Sequence, residues 1–191
     1  MKISSLAKML FALAFIIAIP AGQAKAAVDP AVEARSSNAL VKLQLMRGDE
    51  KGNLNLKNKV TRAEFVTLVI RMLGYDKTSD TKDVNISFKD IAQKHWAYNN
   101  IKIAVKYGLI KGYTDNTVRP NDNVTFTEAR AILIRALGYE NTMSGKWPDN
   151  VINKAEELGL NRNLDLPKDK QITRGEASVL IYNSLTVDFK K

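Results

Sequence analysis

One segment occurs three times in this sequence, and this repetition limits the possible fold more than any other feature. Each copy has a Thr followed three residues later by a Glu, and an apolar run comes directly after. The copies are Val60-Thr61-Arg62-Ala63-Glu64, Val124-Thr125-Phe126-Thr127-Glu128 and Ile172-Thr173-Arg174-Gly175-Glu176. Self-similarity of this kind is typical of repeat architectures, in which one unit cannot bury its apolar face alone. We therefore predict a fold built from three copies of one unit.

A second block precedes each Thr at a nearly constant distance. Its copies end at Gly48, Gly112 and Asn163, which lie 13, 13 and 10 positions before the Thr. They are Gln44-Leu45-Met46-Arg47-Gly48, Gly108-Leu109-Ile110-Lys111-Gly112 and Gly159-Leu160-Asn161-Arg162-Asn163. Twelve positions before each block starts, the second and third copies carry Trp96 and Trp147, whereas the first has Val32. The third loop is therefore shorter, and the opening of the first copy is degenerate.

The pattern within one unit predicts two helices joined by a loop. Apolar residues at helical spacing indicate a first helix from Trp96 to Tyr107, and Gly108 suits its C-terminus. After a loop rich in turn formers, the Thr and Glu form the capping box of a second helix. In the first copy one face of that helix is apolar and Arg71 lies on the other, the apolar residues being Phe65, Leu68, Val69, Met72 and Leu73. We predict an all-α fold in which three helix-loop-helix units pack around a shared axis.

The N-terminus has the pattern of a secretory signal peptide. Lys2 and Lys8 precede an apolar run from Met9 to Ile19, and Ala24-Lys25-Ala26 has the small-x-small form of a cleavage site. We expect cleavage after residue 26 and an exported mature chain without a transmembrane segment, because no later run reaches about 20 apolar residues. The predicted regions are a signal peptide over 1–26 and repeats over 27–75, 76–139 (with a preceding linker) and 140–191.

Charge narrows the class of partner. The chain has a net charge of +9, and the predicted signal peptide carries three lysines and no acid, which leaves +6. A basic exported protein favours acidic partners such as an anionic glycan, a nucleic acid or an anionic lipid. We do not expect nucleic-acid binding, because the basic residues are spread over the repeats and the destination is extracellular. The chain contains no cysteine, so the exported fold holds without disulfides.

Taken together, the repeated blocks resemble the S-layer homology (SLH) motif. The resemblance rests on Phe88-Lys89-Asp90, Trp96-Ala97, the run from Gly108 to Asp115, Pro120-Asn121 and the Thr-Arg-Ala-Glu helix start. It implies three tandem motifs, a pseudo-threefold spindle of helix pairs and a place at the bacterial cell surface. It also implies binding of secondary cell-wall polymers, often pyruvylated, in grooves between the prongs, although some members of the family bind peptidoglycan instead. Such triplets usually anchor an attached domain, and the sequence does not identify a cargo.

Arg62 and Arg174 are the leading candidates for ligand contacts. Each occupies the first position of a predicted helix, where the helix dipole disfavours a cation by about 0.3–1 kcal/mol. A helix N-terminus with free N–H groups binds anions, and an Arg there can hold a carboxylate or phosphate with two parallel hydrogen bonds. A structural ion pair with a nearby acid is the alternative. The resemblance implies that this Arg meets the polymer's acidic substituent, and Phe126 at the same position implies a weak or altered groove.

Equivalent positions supply further candidates. Arg47, Lys111 and Arg162 occupy one repeat position and form either a basic ring beside the grooves or an ordinary solvated surface. Trp96 and Trp147 could stack on a sugar face, but the bulk of the indole favours a place in the core.

Two glycines complete the set of candidate ligand-binding residues. Gly48 and Gly112 are expected to adopt positive φ in turns, and they would also let a ligand approach the backbone. The Thr and Glu residues of the capping boxes are explained by capping alone.

The sequence offers little for catalysis. His95 is the only histidine, which excludes a multi-histidine zinc site and argues against a His-based triad. No phosphate-binding loop is present. We therefore predict a non-catalytic wall-binding module without a metal or cofactor. The alternative is a structural or adaptor protein that contacts other surface proteins, which the degenerate first and second copies favour.

Overall fold

The computed structural model describes residues 28–78 and 80–190. These residues form seven α-helices and no β-strand, which confirms the all-α prediction. The helices are α1 (Pro30–Lys42), α2 (Arg62–Met72), α3 (Tyr75–Thr78), α4 (Tyr98–Lys106), α5 (Phe126–Ala136), α6 (Asp149–Glu157) and α7 (Arg174–Ser184). None of them is both long enough and apolar enough to cross a membrane. The predicted signal peptide lies outside the described residues.

Three loop segments meet in a closed cycle, which we call the hub. The N–H of Val60 donates to the carbonyl of Ile172 at 3.1 Å, that of Ile172 donates to Val124 at 3.1 Å, and that of Val124 donates to Val60 at 3.0 Å. All three side chains are buried. Since each residue donates once and accepts once, the cycle closes on itself. The hub therefore relates the three segments by a pseudo-threefold axis.

The second helix of each unit begins beside the hub with the predicted capping box. In each case the Thr side chain accepts from the N–H of the Glu, and the Glu side chain accepts from the N–H of the Thr. The N-cap residues are Thr61, Thr125 and Thr173. An N-cap of this kind stabilises a helix by about 0.5–2 kcal/mol, so the sequence signal reflects a real energetic preference.

The helices that pack together belong to different units. Helix α4 packs on α2, α6 packs on α5, and α1 packs on α7. The loop that follows each first helix returns the chain to the hub, so that helix lies against the second helix of the unit before it. The contact between α1 and α7 joins the first helix to the last and closes the ring. Because the units share one core, the repeat limits stay a prediction.

Helix α2 buries more of its surface than the one apolar face that the sequence predicts. Val66, Thr67 and Ile70 are buried in addition to the predicted face. Helix α2 packs against α4 on one side and α5 on another, so little of its surface is left for solvent. The first helix of the second unit is also shorter than predicted, and Gly108 follows its end with φ of 67°.

Candidate functional site

Two grooves with equivalent linings run between neighbouring units. Groove 1 contains Arg47, Gly48, Glu64, Arg71, Trp96 and Arg174. Groove 2 contains, in the same order of repeat positions, Lys111, Gly112, Glu128, Arg135, Trp147 and Arg62. Each groove takes one Arg from the preceding unit, its basic residue and glycine from its own loop, and a Trp from the start of the next helix. The hub thus brings together eight of the nine candidates in two sites.

Arg174 has both a structural contact and a free side in groove 1. Its Nε donates to the carbonyl of Leu54 at 3.0 Å and its Nη2 donates to that of Arg47 at 3.1 Å. The Nη1 atom lies 4.0 Å from Oε1 of Glu64. The predicted alternative of an ion pair is therefore present only at the limit of contact, and backbone carbonyls are the main partners. Among the described residues, Nη1 makes no hydrogen bond and has only this distant carboxylate as a partner.

The cations of groove 1 repel one another. Burial lowers the pKa of Arg71, and the nearby charges of Arg47 and Arg174 lower it further against the opposite effect of Asp76. A lowered pKa means that the local environment disfavours the charged form. An anion bound among these three guanidinium groups would relieve that repulsion.

Arg62 in groove 2 is more enclosed than Arg174 in groove 1. It is 6% exposed, its Nη2 donates to the carbonyl of Lys111 at 3.4 Å, and its Nε is buried with no hydrogen-bond partner among the described residues. The guanidinium carbon lies 5.3 Å from the ring centroid of Tyr113. A buried N–H donor without a partner costs free energy, so this group is poised to donate to an added acceptor.

Glu140 pairs with both remaining cations of groove 2. Its Oε1 lies 3.1 Å from Nζ of Lys111 and 3.0 Å from Nε of Arg135. Burial alone would raise the pKa of this carboxyl, but the two hydrogen bonds outweigh burial and lower it. Groove 2 is therefore partly neutralised by the protein itself, whereas the described residues of groove 1 show no equivalent double pair.

The predicted anion site at the helix N-termini is wrong. The first two N–H groups of α2, α5 and α7 donate to carbonyls in the loop of another unit. The acceptors are Asp122 and Pro120 for α2, Lys170 and Lys168 for α5, and Asn58 and Leu56 for α7. The capping box uses the next groups, so none is left for a ligand. Any anion must be held by side chains.

The placement of the tryptophans in the core is also wrong. Trp96 is 61% exposed and Trp147 is 56% exposed, and each borders a groove. Helix α4 starts two residues after Trp96, and the small residue Ala97 takes the buried position instead. His95 accepts a hydrogen bond from the Ala97 N–H at Nδ1, and its ring stacks on that of Trp96 at 5.8 Å.

The two glycines serve close packing rather than positive φ. Gly48 and Gly112 do not have positive φ, in contrast to the prediction. A Cβ atom at Gly48 would lie 2.5 Å from the backbone carbonyl of Gly52, and one at Gly112 would lie 2.2 Å from Cε1 of Phe88. The absence of a side chain therefore lets the backbone of Gly52 pack against Gly48 and the ring of Phe88 pack against Gly112.

The ninth candidate, Arg162, lines a third groove of different composition. This groove has Val32 where the others have a tryptophan and Asn163 where they have a glycine. The side chain of Arg162 donates to the hydroxyl of Thr186 and to the carbonyl of Gly159. The three predicted basic residues therefore lie one in each groove.

Phe126 replaces the groove-lining Arg on the side of the third groove, and Arg130 stacks on it. Phe126 is buried, and the Arg130 guanidinium carbon lies 4.0 Å from its ring centroid. Burial lowers the pKa of Arg130 to about 10. Arg130 is thus buried against Phe126 and is not in the groove-lining position that Arg62 and Arg174 occupy.

Sequence reasoning missed four groove residues. Arg71 and Arg135 occupy one repeat position, and Asp49 and Tyr113 occupy another, directly after the predicted glycines. The alignment of the repeats would have found them, because each pair falls in register with residues already singled out. Within the described residues, no group of three or more His, Cys, Asp or Glu side chains is placed to hold a metal ion.

These features define a class of protein: a closed ring of helix-loop-helix repeats whose grooves combine guanidinium groups with exposed indoles. The profile of the S-layer homology domain matches residues 38–66 and 87–129. The chain belongs to the S-layer homology family. The profile does not extend over the third unit, whose likeness to the other two rests on the hub and the repeated capping box.

Relatives over most of the chain come from bacterial surfaces. The middle cell wall protein of Brevibacillus brevis is 30% identical over 175 residues, which are 90% of this chain and 16% of that protein. The cell surface protein of Thermoanaerobacter kivui is 33% identical over 85% of this chain and 21% of that protein. The surface layer protein of Brevibacillus choshinensis is 31% identical over 75% of this chain and 13% of that protein. The chain therefore spans about a fifth or less of each of these relatives.

Proposed function

We propose that the chain is a non-catalytic cell-wall anchoring module that binds an anionic, pyruvylated secondary cell-wall polysaccharide in grooves 1 and 2. One observation carries this proposal. In each groove an exposed tryptophan faces three basic side chains, and the same arrangement occurs twice at equivalent repeat positions. The cell-surface location of the chain agrees with its family and with the names of its relatives.

The groove chemistry suits an acidic sugar. A pyruvyl ketal carries a carboxylate, which Nη1 of Arg174 and the neighbouring Arg47 and Arg71 can bind as hydrogen-bond donors with positive charge. The indole of Trp96 offers an apolar face to the C–H groups of the sugar ring, because an aromatic ring pairs an apolar body with one polar N–H. Charge thus selects the substituent, and the indole holds the ring.

Two grooves on one rigid body favour retention on a polymer. When one groove is occupied, the next acidic residue of the same chain is held close to the other groove, so the second binding step is effectively intramolecular. Such linkage can raise the overall affinity by about 10²–10⁴ over a single site. Moderate affinity in each groove is therefore enough for anchoring.

The test is co-sedimentation of the purified protein with wall sacculi, before and after acid extraction of the secondary polymer. We expect retention on intact sacculi and loss of retention after extraction. Replacing Trp96 and Trp147 together by Ala should also release the protein, because both rings are exposed and their loss leaves the core intact. The matched control is Phe189→Ala, which removes a ring of 59% exposure that lines neither groove.

Two other outcomes identify the alternatives. Retention that survives extraction would make peptidoglycan the target. No retention on either preparation, with the protein folded, would contradict the anchoring function and favour an adaptor that contacts other surface proteins.

A further inference from the structure

Grooves 1 and 2 differ in one feature that their shared composition does not suggest. Groove 1 is one continuous cavity of about 370 Å³ that extends from Arg71 to Asn58 and Lys59 near the hub. The corresponding space in groove 2 consists of two cavities, of about 190 and 380 Å³. The walls that these two cavities share are Arg62, Tyr113 and Glu128.

Tyr113 forms the partition in groove 2. Its hydroxyl donates to Oε1 of Glu128 at 2.5 Å, and its ring centroid lies 3.9 Å from the guanidinium carbon of Arg119 and 5.3 Å from that of Arg62. Cation–π contacts of this kind contribute about 0.5–2 kcal/mol each. The ring is therefore held by two cation–π contacts as well as by the hydrogen bond of its hydroxyl.

The same repeat position in groove 1 holds Asp49, and its carboxylate is turned into its own loop. Oδ1 accepts from the N–H groups of Lys51 and Asn53, both at 2.9 Å, and Oδ2 accepts from Nδ2 of Asn55 at 3.0 Å. A short side chain bound in this way does not reach Glu64 across the groove. The space that Tyr113 closes in groove 2 is left open in groove 1.

We propose that the residue after the groove glycine sets the length of glycan that each groove accepts. This residue is Asp49 in groove 1 and Tyr113 in groove 2. This inference rests on the proposed function. Groove 1 takes a segment of at least two sugar residues, with the acidic residue beside Trp96 and the next one towards Asn58 and Lys59. Groove 2 takes a single acidic terminal residue beside Trp147, because Tyr113 stops the glycan from continuing to the hub side. The two grooves thus recognise the inner chain and the chain end respectively.

The two tryptophans allow ligand binding in each groove to be measured separately by fluorescence. Trp96 and Trp147 are the only tryptophans of the chain. In a Trp147→Phe background fluorescence reports on groove 1, and in a Trp96→Phe background it reports on groove 2. The probes are size-fractionated fragments of purified anionic wall polysaccharide, from one sugar residue upward, that retain their acidic groups.

We expect the affinity of groove 1 to rise about tenfold or more from one sugar residue to two or three, and that of groove 2 to change by less than about threefold. Asp49→Tyr in the groove 1 reporter should remove the dependence on length, and Tyr113→Asp in the groove 2 reporter should create it. Phe189→Ala is the control in both reporters, since its ring is exposed and lines none of these cavities, and it should behave like its parent.

Equal length dependence in the two grooves, or no effect of the exchanged residues in proteins that unfold like their parents, would overturn the partition while leaving the anchoring function in place. If neither reporter binds any fragment and sacculi do not retain the protein, the proposed function fails and this inference fails with it.

Discussion

The Nη2 atom of Arg174 donates a 3.1 Å hydrogen bond to the backbone carbonyl of Arg47, a residue 127 positions earlier in the chain. The equivalent bond joins Arg62 to the carbonyl of Lys111 at 3.4 Å. In both cases the Arg that starts a helix fixes the loop carrying the basic residue of the same groove. One side chain therefore joins two units and at the same time lines the groove between them.

Arg174→Ala should lower both stability and wall binding. The substitution removes two hydrogen bonds from a charged donor, at Leu54 and Arg47, for which we expect a loss of about 1–3 kcal/mol in the free energy of unfolding. Arg174→Lys keeps the charge but cannot make both bonds, so it should recover only part of the stability. Urea denaturation followed by circular dichroism measures the effect. An Arg174→Ala protein as stable as its parent would show that the interunit bonds contribute nothing.

Ile172→Ala should destabilise the whole ring, because Ile172 is fully buried at the hub. We expect a loss of about 2–5 kcal/mol in the free energy of unfolding with one cooperative transition, since the three units share this core. Leu43→Ala is the control, as its side chain is 56% exposed. If the variant instead lost only the helices of the third unit, the units would fold independently and the shared core would be refuted.

The two groove glycines should differ in their tolerance of a methyl group. Gly48→Ala drives Cβ against the backbone of Gly52, which cannot move aside, and we expect a loss of about 1–3 kcal/mol in stability. Gly112→Ala meets only the ring of Phe88, so the cost should be smaller and Phe88→Leu should relieve it. Thermal unfolding of the two variants and the double variant decides the point. Equal costs at both positions would contradict the packing role.

Tyr113 should make the folded state sensitive to alkaline pH. Burial, together with the hydrogen bond to Glu128, raises the pKa of Tyr113 to about 12 from its ordinary 10.0. The folded state thus favours the protonated phenol, so its contribution to stability is complete below pH 10 and is lost as the pH rises from about 10 to about 12. Ultraviolet titration should show a phenol that ionises near pH 12, and Tyr113→Phe should remove it. The difference in stability between parent and variant should shrink over the same interval, and a constant difference would argue against the buried hydrogen bond.

Predictions from local sequence signals were correct where a short-range interaction decides the structure. The capping boxes at Thr61, Thr125 and Thr173 are such a case, because Thr and Glu three residues apart need only the helix itself. The grooves were also predictable, since residues at one repeat position occupy equivalent places around the hub. The alignment of the units therefore gives eight of the groove residues, while Arg71, Arg135, Asp49 and Tyr113 were missed.

Interactions between units were beyond the reach of such signals. The N–H groups at the start of α7 donate to the carbonyls of Leu56 and Asn58. No sequence pattern near Arg174 indicates partners that lie more than a hundred positions away. The exposure of Trp96 has a similar origin, because the helix begins two residues later than its apolar pattern suggests. Gly48 needs to be a glycine because the backbone of Gly52 packs against it, and not because its own backbone requires a positive φ. Tertiary contacts decide all three cases.

The central claim is that the grooves bind the polymer through its acidic groups. The most direct measurement is a tryptophan fluorescence titration of the protein with purified wall polysaccharide and with the same polysaccharide after its carboxylates have been reduced to alcohols. We predict saturable binding to the native polymer, which weakens with added salt as expected for charge pairing, and at least tenfold weaker binding to the reduced polymer. Equal affinity for the two preparations would contradict this claim.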